Sequence, residues 1–475
     1  MNNDVRALGS GQRPRTRPTN GKAAIDLPQP QNDLRRTVRS WVARAVRLVF
    51  LTNLAVIVGL WVHGGGITGV YSLGTLLISL GHITGLLGAY ALLIQLLLLA
   101  RLPFLGWIAS FDRLTAWHKV NGKITLYLIL GHVGFITMGY ALVAHISIPA
   151  EVMGMLRMYP GMIAAVIGTI VLILVVITSI VAVRRRLPYH TWFLIHLMAY
   201  SAVALAWFHQ LPTGQDFIAS PLAAAFWTSL YVATLQLIIL FRFGQTIVRN
   251  LWHRLRVTEI TREGSNVVSL RITGHHLDWL NARAGQFFLW RFLDSERWQE
   301  AHPYSLSAAP DGKSLRITVK DLGDFSSRIG AIKPGTPVMI EGPFGSFTDE
   351  ARSRERVLLI AGGVGITPIR ALLEEMSGDL TLIYRASREA DLIFRDELEE
   401  LAREQGITIH YVIGERRVPG NAHLMSVQHI RKLVPDVARR EIYLCGPSGM
   451  MRSVRTSLQH AGVLAQHIHF DQFAF

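Results

Sequence analysis

Apolar runs fill the chain up to about residue 243, and charged residues with strand-like alternation take over beyond it. In the first half, stretches such as 89–100 and 161–183 carry no charged side chain. Their length fits a hydrocarbon layer of about 30 Å better than the interior of a soluble domain. The pattern predicts helices over 43–63, 75–100, 117–145, 160–183, 189–210 and 221–243, each long enough to cross a bilayer at about 1.5 Å per residue. In the second half, 255–260, 267–272, 286–290, 314–320 and 337–341 read as short strands between Gly/Pro turns, which predicts a small antiparallel β-barrel over 252–345. Strands over 356–361, 380–384, 408–412 and 441–445 alternate with helices near 369–376, 396–405 and 450–461. That alternation predicts an α/β domain with a parallel sheet over 350–475. The fold class expected is a membrane all-α six-helix bundle over 40–245, followed by the barrel and the α/β domain. Residues 1–37, rich in Arg, Pro, Asn and Gly with little to bury, predict a disordered arm.

The formal net charge of +15 suggests nucleic acid only until the charges are placed. Arg35, Arg36, Arg39, Arg44 and Arg47 precede the first helix, and Arg101, Arg113, Lys119 and Lys123 surround the second connection. Arg184, Arg185 and Arg186 fill the fourth, and Arg242, Arg249, Arg254 and Arg256 follow the sixth helix. The opposite loops offer Arg157 alone. Positive residues stay inside, so both termini and both soluble domains are expected in the cytoplasm of a multi-pass cell-membrane protein, with no nucleic-acid partner. The single cysteine, Cys445, excludes a disulfide scaffold and a cysteine-ligated iron–sulfur cluster. No apolar core appears before about residue 43, so a cleavable signal peptide is not expected.

Candidate chemistry begins with four histidines. His118 and His132 lie fourteen residues apart on the third predicted helix, and His196 and His209 thirteen apart on the fifth. Imidazoles rarely face lipid, because their ring nitrogens need partners. The two helices run in the same direction, so His118 and His196 belong to the inner side, His132 and His209 to the outer. Rises of about 21 Å and about 20 Å match the pairs in depth. Each pair is therefore expected to ligate one b-type haem axially. Two imidazoles on one iron leave no open position, which suits electron transfer rather than oxygen binding at iron. One geometric point resists this reading: fourteen steps return a side chain to within about 40°, but thirteen leave it about 140° away. No proline lies between His196 and His209 to bend the helix. The alternative is a set of membrane histidines hydrogen-bonded within the bundle, the reading preferred for His63, His82, His145 and His190.

In the barrel region sits His302-Pro303-Tyr304-Ser305. A tyrosine ring packs against an isoalloxazine and the adjacent serine addresses a ring nitrogen, which makes this a flavin candidate. Lys320, Gly323, Ser326 and Ser327 lead into a helical turn whose N–H groups suit a pyrophosphate. Downstream, Gly362-Gly363-Val364-Gly365-Ile366-Thr367-Pro368 joins a strand to a helix, where glycines permit close passage of a dinucleotide. It is not the strict G-x-G-x-x-G fingerprint. Arg385, Ser387 and Arg388 follow the next strand, and a cationic cluster there favours a ribose 2′-phosphate, hence NADPH, with NADH the alternative. Cys445-Gly446-Pro447 ends another strand beside the expected ligand. Cys445 is a candidate for contact near the reactive nicotinamide carbon, and the terminal Phe475 for a displaceable gate over the flavin.

Together these residues resemble the NADPH oxidase and ferric reductase superfamily over about residues 40–475. Its members join a six-helix, two-haem membrane domain to a dehydrogenase like plant ferredoxin–NADP reductase. In that family the third and fifth helices carry histidine pairs spaced as His118/His132 and His196/His209 are, including the awkward thirteen. The flavin motif falls on His302–Ser305, the nicotinamide loop on residues 362–368, the cysteine-glycine-proline motif on Cys445, Gly446 and Pro447, and the terminal aromatic on Phe475. Short outer loops and the lack of an EF-hand pattern resemble bacterial members. The resemblance implies that NADPH reduces FAD, and that electrons then pass through inner and outer haems to an outside acceptor. The acceptor expected is O2, giving superoxide, with a ferric chelate as the alternative. The partners expected are the lipid bilayer and that small-molecule acceptor, without an obligatory protein partner. A membrane-anchored ferredoxin reductase-like enzyme with a cytoplasmic acceptor, and a transporter or scaffold joined to a haem-free reductase, are further alternatives.

Overall fold

The computed structural model describes residues 30–471, apart from Ser110, Arg185, Pro188, Glu296, Gln299, Arg416, Arg417 and Ala422. Among the described residues, six helices are long and apolar enough to cross a membrane: Ser40–Gly66, Leu73–Leu98, Arg113–Ala144, Met162–Ser179, Thr191–Thr213 and Pro221–His253. The helix carrying the first begins at Pro30, inside the stretch expected to be disordered; residues 1–29 lie outside the described residues. Among the helices not expected is Ile148–Met158. Its start is legible in hindsight, with a proline in the first two positions and Glu151 in the first turn.

Glycine sets how closely the spans pack. A Cβ added to Gly81 of span two would stand 2.9 Å from the Ile136 nitrogen of span three, and one on Gly139 would stand 2.8 Å from the Ile78 nitrogen. Gly168 of span four would bring a Cβ to 2.9 Å from the Ala202 carbonyl of span five. Small residues are what allow helix backbones to approach in lipid, where no hydrophobic force drives them together.

Beyond the spans come β1 (Arg256–Gly264), β2 (Val267–Thr273), β3 (Phe287–Phe292), β4 (His302–Ser305), β5 (Ser314–Lys320) and β6 (Val338–Phe344). They form two three-stranded antiparallel sheets, β1-β2-β5 and β4-β3-β6, around fully buried Leu270, Ile272, Phe288, Trp290, Ile317 and Ile340. Single-residue bridges, Arg256 to Pro337 and Leu306 to Ile317, join the sheets where a continuous barrel was expected. Register shifts at Val257/Glu259 and Phe287/Leu289 bend the strands away from unbroken pairing. The last module has β7 (Val357–Gly362), β8 (Leu380–Ala386), β9 (Thr408–Ile413), β10 (Glu441–Cys445) and β11 (Ile468–Asp471) in the parallel order β11-β10-β7-β8-β9. Every residue of β7 is buried, as a strand covered by helices on both faces requires.

The two soluble modules are tied by charge. Glu397, on helix Arg395–Gln405, accepts both terminal nitrogens of Arg316 at 2.9 Å, and Arg370 Nε lies 2.6 Å away. Both arginines also donate to the Ser307 carbonyl, at 2.9 and 3.3 Å. Burial opposes ionisation of Glu397, but the bonds and charges of Arg316 and Arg370 prevail and hold it below the usual carboxylate range. A carboxylate held low stabilises the fold above its ordinary pKa and loses that contribution as pH falls through the folded value. Glu397→Gln is therefore expected to cost about 2 kcal/mol at neutral pH. The thermal midpoints of variant and parent should converge as pH falls below about 4.5. Midpoints that stay equally separated in acid would remove Glu397 from this role.

Candidate functional site

The four histidines meet in pairs. His118 and His196 have ring centroids 6.0 Å apart, and His132 and His209 6.4 Å apart, between spans three and five at two depths. The thirteen-residue spacing thus does not prevent pairing. The Thr191–Thr213 span is helical throughout, and a change of χ1 well swings a ring by about 120°, enough to absorb the rotation left over.

Three of the rings are fixed through Nδ1. His132 Nδ1 lies 2.8 Å from the Gly81 carbonyl and His118 Nδ1 3.1 Å from the Gln95 carbonyl, both on span two. His196 Nδ1 lies 3.1 Å from Ser179 Oγ, which itself donates to the Val175 carbonyl and so is left to accept. A proton on Nδ1 leaves the Nε2 lone pair for a metal, the arrangement expected around ligating imidazoles. His209 Nδ1 is buried without a hydrogen-bond partner of normal geometry. Gly85 explains part of the fit, since a Cβ there would stand 2.6 Å from His132 Nδ1.

A cavity of about 280 Å³ adjoins the outer pair, lined mainly by apolar groups with Tyr140, Tyr159, Gln210 and Asp216. His82, expected to be hydrogen-bonded within the bundle rather than a haem ligand, lines it too. A metal held between two imidazole nitrogens at about 2.0 Å each leaves the ring centroids about 6 Å apart, so both pairs fit a haem iron. Among the described residues no cluster of three or more His, Cys, Asp or Glu suits a bare metal ion.

Sequence reasoning missed the junction between membrane and flavin modules. Glu341 on β6 pairs with Arg101, from the turn after span two, and Arg242 of span six is 3.8 Å away. Burial, and then the neighbouring Arg242, lower the Arg101 guanidinium to about 9. The Phe344 ring lies 5.3 Å from Phe111, beside span three, and 5.7 Å from Phe287. Asn250 engages both backbone groups of Ile340, at 2.9 and 2.7 Å. Arg101 and Arg242 had been read as topological charges only.

On the flavin side, Ser305 is buried and its hydroxyl has no partner, an orphaned donor that suits a ring nitrogen. Tyr304 is half-buried at the edge of the core, and its phenol is pushed up by burial and then by Glu300. His302 pairs with Glu300 at 3.0 Å and stacks on Phe325 at 3.8 Å, while Pro303 is exposed. The candidate phosphate turn closes on itself. Ser326 Oγ accepts from Leu322 N–H at 2.8 Å and donates to the Gly323 carbonyl, and Gly323 N–H donates to Asp321. A phosphate there has to displace those bonds. Ser327 is exposed on the same turn.

A second cavity, of about 640 Å³, opens between the flavin and nicotinamide modules. Lys320, Gly362, Gly363, Arg385, Ser387 and Pro447 line it, so six residues chosen from four motifs converge. Gly446 and Gly362 touch backbone to backbone, since a Cβ on Gly446 would stand 3.2 Å from Gly362 Cα. Gly365, Thr367 and Pro368 pack beneath instead; Thr367 Oγ1 donates to the Val364 carbonyl at 3.0 Å and is buried. Cys445 is fully buried, and desolvation, then Asp471, raise its thiol well above the ordinary value. Arg385 is committed to the carbonyls of Ala386, Val412 and Gly414, and Arg388 lies 3.6 Å from Asp391 on the surface. Phe475 lies outside the described residues.

Residues 84–207 match the ferric reductase-like transmembrane component family, and residues 359–456 the oxidoreductase NAD-binding domain family. The chain is 29% identical over 202 residues to the reductase component 1 of terephthalate 1,2-dioxygenase from Comamonas sp, covering 40% of this chain and 59% of that one. It is 31% identical over 232 residues to the ferredoxin reductase component of 3-ketosteroid-9-alpha-monooxygenase from Mycolicibacterium smegmatis, covering 46% and 65%. The FAD/NAD-binding domain of nitric oxide dioxygenase from Vibrio cholerae aligns with a TM-score of 0.40 at 26% identity, over 46% of this chain and 98% of that one. The chain spans about three-fifths of the length of these curated relatives. Their names make them components of larger systems, so the comparisons do not carry the expectation that no protein partner is needed.

Fold, site and matches define the class: a ferric-reductase- and NADPH-oxidase-like transmembrane domain fused to a reductase module that supports FAD and NAD(P)H binding. The chain is similar to the NAD(P)H/FAD-dependent oxidoreductases of that superfamily and is multi-pass, with its FAD/NAD-binding region in the cytoplasm.

Proposed function

We propose that the chain passes electrons from cytoplasmic NADPH through FAD and two bis-histidine haems to O2 on the far side of the membrane, releasing superoxide. The observation that carries this reading is the pair of facing imidazoles at each of two depths, three of the four rings anchored through Nδ1. When bound, FAD turns a two-electron donor into single electrons, and haem supplies one-electron sites inside the bilayer. The protein's own part is placement. Spans two and four hold the rings, Ser305 and Tyr304 are the proposed flavin contacts, and the backbone contact between Gly362 and Gly446 brings the two nicotinamide loops together. Cys445, two residues before the cavity-lining Pro447, is the proposed contact near the nicotinamide, and Phe475 is kept as the proposed gate. The outer cavity supports O2 over a ferric chelate, because its described lining includes Asp216 and no lysine or arginine to attract an anion.

In sealed vesicles given NADPH on the cytoplasmic face, superoxide outside is the expected product. Iron reduction without oxygen would favour the ferric-chelate reading, and no outside product would reject transmembrane transfer. The second reading, a membrane-anchored reductase serving a cytoplasmic protein, has the relatives' names in its favour. It predicts reduction of soluble ferredoxin and no outside product.

NADPH over NADH rests on Arg388, whose surface pair with Asp391 can exchange for a phosphate, rather than on the committed Arg385. Arg388→Ala is expected to raise KM for NADPH about tenfold and leave NADH nearly unchanged. An unchanged preference would remove Arg388 from this role.

A further inference from the structure

Span six is longer than the bilayer needs. Pro221–His253 has 33 residues, about 50 Å of helix against about 30 Å of hydrocarbon. Roughly a dozen residues therefore lie beyond the core. A π-helical segment at Ile238–Gly244 interrupts the α-helix, the kind of place where a helix changes direction. The helix Gln245–His253 that follows has two unlike faces. Arg249 donates to the Gly342 carbonyl, Asn250 holds Ile340, and His253 Nδ1 lies 2.9 Å from the His275 carbonyl, so the polar face is spent on the flavin module. Ile247, Val248, Leu251 and Trp252 are each more than half exposed. A helix on a water-soluble domain turns its apolar face inward; this one turns it out.

The flavin module adds to that patch. Trp279 is 67% exposed on the turn Leu277–Leu280, with its ring centroid 6.3 Å from Trp252 and 6.1 Å from His276. Leu277 and Leu280 of the same turn are buried, so the turn is anchored while it holds the indole outward.

We propose that Trp252 and Trp279 seat the flavin module in the headgroup–acyl boundary of the cytoplasmic leaflet. The reductase half then touches the membrane by its own surface as well as through the chain. Lipid is the occupant because the patch continues from Ile239, Leu240 and Phe243, exposed on the span itself. Indoles are also the side chains that favour that boundary, apolar in body with one polar N–H.

Cys445 is the only cysteine and is fully buried, so a nitroxide attached to Trp279→Cys marks one place in the full chain. In phospholipid nanodiscs, relaxation by O2 and by a water-soluble nickel chelate reads its depth. The label is expected to behave like one on Leu251→Cys, favouring O2, and unlike one on exposed Leu464→Cys of the nicotinamide module. Nickel access equal to that of the Leu464 label overturns the proposal. So does shielding from both probes, which would place a second copy or another protein on the patch. Bound FAD reports whether each variant is folded, and a label on exposed Asp278→Cys replaces Trp279→Cys should the latter lose it. None of these readings depends on haem or on the acceptor.

Discussion

Replacing His132 with leucine is expected to lower haem content from two per chain to one, while FAD content and NADPH-driven flavin reduction stay as they were. The ring faces His209 at 6.4 Å and no other paired histidine, so its loss empties one site and spares the pair formed by His118 and His196. Leucine suits the apolar lining of the adjacent cavity. The Gly81 carbonyl loses a second partner, a cost of about 1 kcal/mol that the bundle can absorb. His209→Leu is expected to do the same, and the two together to do no more, because both act on one site. Pairing His118→Leu with His209→Leu should remove both haems. Retention of two haems in His132→Leu, counted by pyridine haemochrome against protein, would falsify the axial assignment. A haem-free bundle would contain none in the parent.

The spans were legible because uncharged runs near twenty residues long have no other common explanation. The helix Ile148–Met158 was not, because eleven residues without a long apolar run resemble a loop between two stronger signals. The histidine pairs could be read from spacing alone in depth, but not in rotation, which side-chain torsions adjust after the backbone is set. Glycine loops announced where backbones come close, yet the motif could not separate Gly362 and Gly363, which line the cavity, from Gly365 and Thr367, which pack under it. Arg385 shows the same limit: a cation after a strand reads as a phosphate ligand until the carbonyls of Val412 and Gly414 claim it. The Arg101–Glu341 contact joins residues some 240 positions apart, each unremarked in its own stretch, and only the folded chain brings them together.

That contact carries the other large expectation. Glu341→Gln should leave NADPH-driven flavin reduction unchanged and slow electron delivery into the membrane half about tenfold, because a charge pair broken at a partly buried interface weakens docking. Glu341 is the carboxylate shared by Arg101 and Arg242, and the Arg101 guanidinium is already lowered to about 9 by burial and by Arg242. Taking the carboxylate away leaves two cations facing each other in a desolvated junction, which costs more than the pair itself is worth. Removing Arg101 as well, in Glu341→Gln with Arg101→Gln, should recover part of the rate, since the repulsion goes with it. Glu341→Asp should retain more than Glu341→Gln, because charge rather than length is what the arginines answer to. Rapid mixing with NADPH separates the two steps, flavin bleaching first and the haem Soret shift second. If bleaching slowed as much as the Soret shift, the defect would lie in flavin binding and not in docking. If neither changed, Asn250, Arg249 and Phe344 would hold β6 against the membrane module without Glu341, and the junction would be a matter of shape rather than charge.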